Sequence, residues 1–115
     1  MATSVTEEKV SGGVILKISG FADGVAGKAI REKATLLMEQ GVRKIALDFS
    51  EAPLVDSAAI GELIELVSVP LEDDDVAFYI FGLTEVCQKT FLVTGILNCT
   101  IECETKEEAL KALSR

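Results

Sequence analysis

Asp56-Ser57 is the pair of residues in this sequence best placed to do chemistry. It stands between a proline-broken connection, Glu51-Ala52-Pro53-Leu54-Val55, and a run in which Ile60, Leu63, Ile64 and Val67 recur at helical spacing, so the serine falls where a helix begins. Two roles suit a hydroxyl there. As an N-cap, its oxygen accepts a hydrogen bond from an amide that has no partner inside the helix, a role worth about 1 kcal/mol. As a phosphate acceptor, it would carry about −1.5 to −2 charges beside the free amides and positive dipole end of the helix, which stabilise an anion locally. A switch of that kind needs no rearrangement of the fold, because charge added to an acidic face repels a partner that tolerated the hydroxyl.

Other chemistries are excluded by composition. The chain has no histidine, so Ser-His-Asp and Cys-His arrangements cannot form, and no lysine lies near Ser57 in sequence to act as its base. A GxxxxGK[ST] phosphate loop is absent. Glu72-Asp73-Asp74-Asp75 are adjacent acids without the alternating ligands and turn glycine of a calcium loop, and read as a solvated loop. Without histidine, Cys87, Cys99 and Cys103 cannot build a Cys/His zinc site. In a β-like segment Cys99 and Cys103 would stand about 13 Å apart, too far for a disulfide. The thiols read as buried apolar residues, and no cofactor or metal is expected.

The elements that must position Ser57 follow from patterning. Residues 3–10 and 14–20 read as two strands joined by a hairpin turn at Ser11-Gly12-Gly13. Ala26, Ile30, Ala34, Leu37 and Met38 predict an amphipathic helix over about 24–40, with Gly41 as its C-terminal stop. Residues 43–49 form a buried strand. The helix after Ser57 ends at Pro70 and the acidic run, before a strand over 76–81. A short helix from Thr84 or Glu85 to Val93, a turn at Thr94-Gly95, a strand over 99–104 and a helix over 106–113, with Ala109, Leu110 and Leu113 inward, complete the chain. This β-β-α-β-α-β-α-β-α order implies an α/β fold: a β-hairpin, then mostly parallel strands in one mixed sheet, packed with about four helices as a single domain over 1–115. In such sheets, partners meet the loops at the carboxyl ends of the parallel strands, where Asp56 and Ser57 lie.

The chain of 115 residues has a net charge of −8, which argues against nucleic acid and anionic membrane surfaces as partners. Between Lys44 and Lys89 there are ten acids and no lysine or arginine, a distribution that suits either a solvated surface or a docking face for a cationic protein. The first residues lack the basic start and apolar run of a signal peptide, and no apolar stretch reaches membrane-spanning length. A cytoplasmic protein without membrane insertion is expected.

The stretch LDFSEAPLVDSAAIGELIEL, residues 47–66, resembles the core signature of the STAS domain, and in particular of the bacterial anti-sigma factor antagonists. Gly20-Phe21-Ala22-Asp23 after the hairpin, Gly61 in the helix, and Phe91-Leu92-Val93-Thr94-Gly95-Ile96 before the last strand extend the resemblance over nearly the whole chain. It implies a non-enzymatic protein whose unphosphorylated form binds an anti-sigma factor, an ATP-dependent serine kinase, and so releases a sigma factor. Phosphorylation of the serine matched by Ser57 ends that binding, and a serine phosphatase restores it. The resemblance places partner contacts at Asp23, Asp56, Ser57, Ala58, Ala59, Gly61 and Glu62. Many members follow Asp-Ser with a second Ser or Thr and then Gly. Here Ala58 leaves Ser57 as the only acceptor in the loop, and Ala59 adds a methyl group where an approaching partner is expected to meet it. Related readings are a STAS subunit of a lipid-transport system and a stress-signalling scaffold, which usually carries a separate sensory domain. A phosphoacceptor of the response-regulator receiver kind, with Asp56 at a strand end, would need an acid pair after its first strand and a lysine after a late strand. Asp48 has no acidic neighbour, and the late strand region has no well-placed lysine.

Overall fold

Gly12 turns the first strand back on the second with a left-handed backbone (φ +85°), which a side chain would strain. A Cβ there would also fall 1.8 Å from the Leu113 carbonyl oxygen, so the hairpin turn doubles as the seat of the C-terminal helix. The computed structural model describes residues 3–115. Its strands are β1 (Ser4–Val10), β2 (Gly13–Ser19), β3 (Lys44–Glu51), β4 (Ala77–Phe81) and β5 (Ile101–Glu102). Its helices are α1 (Gly24–Glu39), α2 (Ser57–Val67), α3 (Glu85–Val93) and α4 (Lys106–Ser114), with single 3₁₀ turns at Val69–Leu71 and Ile96–Asn98.

The strands lie in one sheet in sequence order, β1-β2-β3-β4-β5, with β1 antiparallel to β2 and every other pair parallel. Because each crossover advances in one direction, right-handed connections deliver α1, α2 and α3 to one face. There Ala26, Ile30, Ala34 and Leu37 of α1, Ala59, Ile60, Leu63, Leu66 and Val67 of α2, and Phe91 of α3 bury Leu16, Ile18, Ile45, Leu47, Phe49, Phe78 and Ile80 of the sheet. The other face receives α4, whose Ala109 and Leu113 cover Ile15, Ala46 and Tyr79. β3 is buried on both faces, which is why residues 45–47 read as an unbroken apolar run.

Three expectations change. Cys99, read from the sequence as buried with the other two thiols, is only partly covered. The last strand, read as 99–104, shrinks to Ile101–Glu102. Gly95, with φ +89°, starts the Ile96–Asn98 turn, and Thr100 Oγ1 donates back to the Ile96 carbonyl (3.0 Å), so residues before 101 are held in turn structure. In α2 the inward stripe is rotated: Ile64 is 39% exposed, while Leu66 and Ala59 are buried. The neighbouring α1 packs along this side of α2 and decides which residues are covered.

Candidate functional site

Two loops leave the carboxyl ends of β2 and β3 and are stitched together before either becomes a helix. The Ala22 amide donates to the Leu54 carbonyl and the Asp56 amide donates to the Ala22 carbonyl, both at 2.9 Å, making an isolated parallel bridge between Ala22 and Val55. One residue beyond the bridge on each chain stands an aspartate. Asp23 Oδ1 accepts from the Ala26 amide, and Asp56 Oδ1 accepts from the Ala59 amide, each at 2.9 Å. Both therefore occupy N-cap positions, for α1 and α2 respectively.

Capping, the first of the two roles open to the Ser57 hydroxyl, therefore falls to its neighbour. Asp56 performs the cap, and Ser57 is the first helical residue, exposed, with its hydroxyl making no hydrogen bond among the described residues. The amides of Ser57 and Ala58 have no acceptor within the helix, because they lie in its first turn. The site thus presents a free hydroxyl, unpartnered amides and a dipole end at one point.

The other expected site residues fall on the same helix at different depths. Ala58 and Gly61 are exposed beside Ser57. Ala59 is fully buried, with its backbone against Gly27 of α1, so a partner approaching from solvent meets Ala58 first. Glu62 is half-buried and accepts from Arg31 Nε of α1. That hydrogen bond, and the attraction of the same carboxylate, hold the Arg31 guanidinium further toward its charged form.

Several surface residues escaped the sequence reading. Phe21, Val25, Leu54 and Val86 are exposed apolar side chains on the loops and helix starts at this end of the sheet. Thr84 Oγ1, which caps α3, and Cys87 Sγ both donate to the Pro53 carbonyl at 3.4 Å, tying the start of α3 to the loop that precedes Ser57. No periodicity marks these residues, since loops show none. Gly24 and Gly27, three residues apart in an otherwise helical pattern, did offer a signal of close packing.

A receiver-like role for Asp56 fails on geometry. Its carboxylate is engaged as a cap, the strand order is sequential and lacks the reversal of receiver sheets, and the buried Asp48 carboxylate is taken up by the Ser50 amide (2.9 Å) and hydroxyl (2.6 Å). Among the described residues no three acids or cysteines are grouped to hold a metal ion, and no helix is long and apolar enough to cross a membrane.

Residues 4–109 match the family model of the STAS domain. The chain belongs to the STAS domain family. No curated protein matches it significantly in sequence. Among solved structures, an anti-sigma factor antagonist from Mycobacterium paratuberculosis is similar with a TM-score of 0.81 at 16% identity, over 99% of this chain and 96% of that one. The Bacillus cell fate determinant SpoIIAA in its phosphorylated form has a TM-score of 0.74 at 23% identity, over 96% and 99% of the two chains. A sulfate transporter family protein from Wolinella succinogenes has a TM-score of 0.75 at 14% identity, over 92% and 88%. At these identities the likeness establishes the STAS fold, which the antagonists and the transporter protein share.

Proposed function

We propose that this STAS domain is an anti-sigma factor antagonist switched by phosphorylation of Ser57. In its unphosphorylated form it binds an anti-sigma factor that is a serine kinase, and the sigma factor held there is released. In the reverse step Ser57 Oγ attacks the γ-phosphorus of ATP on the kinase, ADP leaves, and the hydroxyl proton passes to a base of the kinase or to solvent. A serine phosphatase hydrolyses the phosphate and restores the binding form. The protein does no catalysis itself and works in the cytoplasm.

The observation that carries this reading is the division of labour between Asp56 and Ser57. Because Asp56 caps α2, the Ser57 hydroxyl is exposed and has nothing else to do. Partner contact is assigned to Asp23, Asp56, Ser57, Ala58, Gly61 and Glu62, with Ala59 supporting them from beneath. Phe21, Val25 and Leu54 are exposed nearby and supply the apolar area that a stable interface needs at its centre. A phosphate on Ser57 would place a dianion in this surface next to Asp56, and a partner covering it would have to desolvate unpaired charge.

Pull-downs with wild type, Ser57→Ala and Ser57→Asp test the reading, together with mass spectrometry after incubation with the captured kinase and ATP. The expected result is one added phosphate on Ser57 and retention of the kinase by Ser57→Ala. Phosphate mapped to another residue sinks it. Capture of a transport ATPase instead of a kinase would favour a lipid-transport subunit, and capture of a large sensory assembly would favour a scaffold.

A further inference from the structure

We infer that Gly24 is a positioning residue for Ser57: by lacking a side chain it lets α1 close against Ala58 and thereby sets where the neighbouring serine stands. This deepens the proposed switch and rests on it only for the role of Ser57.

Gly24 opens α1, directly after the Asp23 cap, and its backbone is outside the left-handed region, so conformational freedom does not explain a glycine there. Alanine is the better helix former. What a side chain would change is a contact. A Cβ on Gly24 would lie 2.9 Å from Ala58 Cβ and within 4 Å of nothing else outside its chain neighbours and the backbone of its own helix turn. One turn on, a Cβ on Gly27 would lie 2.8 Å from Ala59 Cα, and one turn beyond that Arg31 pairs with Glu62. Positions 24, 27 and 31 form one stripe of α1, which meets Ala58, Ala59 and Glu62 in turn, with 58 and 59 each one turn from 62 on α2. At Gly27 the obstacle is backbone, and no single substitution in α2 relieves it. At Gly24 the obstacle is one methyl group on the residue bonded to Ser57, so displacement there moves the switch, and deleting that methyl removes the cause.

The test installs phosphoserine at Ser57 by translation, so that no kinase is needed, and follows the phosphate by ³¹P NMR and the backbone by ¹H–¹⁵N spectra. Gly24→Ala is expected to shift the apparent second pKa of the phosphate and the amide resonances of residues 57–59. In an Ala58→Gly background, where the opposing methyl is gone, adding Gly24→Ala is expected to leave the phosphate pKa, the amide resonances of residues 57–59 and the melting temperature close to those of Ala58→Gly alone. Spectra of Gly24→Ala that superpose on wild type overturn the inference. So does a Gly24→Ala effect of the same size in the Ala58→Gly background as in the wild type. Wild type that no kinase phosphorylates would count against the proposed function while leaving this measurement intact.

Discussion

Asp23 and Asp56 each stand one residue beyond the same parallel bridge, Ala22 to Val55, and each caps the helix it introduces. Two helix starts are thereby held side by side at the carboxyl ends of β2 and β3, with Ser57 on one and Gly24 on the other. The family resemblance marked both aspartates as partner contacts, and the fold gives both a structural duty as well. Substitutions at either position report on two roles at once, which the choice of replacement can separate.

Asp56→Ala is expected to remove the cap of α2 and lower stability by about 1 kcal/mol, a melting temperature drop of roughly 4 °C for a domain of this size. Asp56→Asn keeps an accepting oxygen for the Ala59 amide and should recover most of that loss. Calorimetry of the two variants checks this, and an Asn variant as unstable as Ala would mean that capping is not what Asp56 contributes.

Phosphorylation of Ser57 is expected to leave the melting temperature near that of the unmodified protein, because the phosphate stands at exposed, unpartnered amides and displaces no packed group. Kinase affinity should fall at least tenfold. Thermal unfolding and titration of the same authentically phosphorylated sample check both halves. A large loss of melting temperature would show that the switch acts through the fold instead.

Association with a cationic partner is expected to slow markedly as ionic strength rises past about 0.1 M, where the Debye length is ~10 Å. The motive is the stretch from residue 45 to 88, which has no lysine or arginine. Stopped-flow rates across a salt series measure it, and an on-rate indifferent to salt would leave the acids with a solubility role alone.

Thiol reactivity should follow burial. Burial first, and then the nearby Glu108 and Glu102 carboxylates, push the Cys103 thiol up, so its thiolate is scarce near neutral pH. Cys87 is buried with its Sγ directed to the Pro53 carbonyl, whereas Cys99 is only partly covered. Alkylation near pH 8 is expected to modify Cys99 first and Cys103 slowly, as peptide mapping of a time course would show.

Much of this architecture was legible from local chemistry. Periodicity located α1, α2 and α4, the start at Thr84 or Glu85 located α3, the Ser11-Gly12-Gly13 turn located the hairpin, and the apolar run at 45–47 located the central strand. The Asp56-Ser57 pair marked the start of a helix and the place to look for a switch. Local pattern offered the cap role to Ser57, whereas the structure gives it to Asp56. That choice follows from the bridge between Ala22 and Val55, a contact between segments 33 residues apart, which leaves Asp56 extended and places Ser57 on the first turn. The short final strand, the rotated stripe of α2 and the burial of Ala59 against Gly27 are of the same kind. Each depends on what a distant element covers, and only the packed structure brings those elements together.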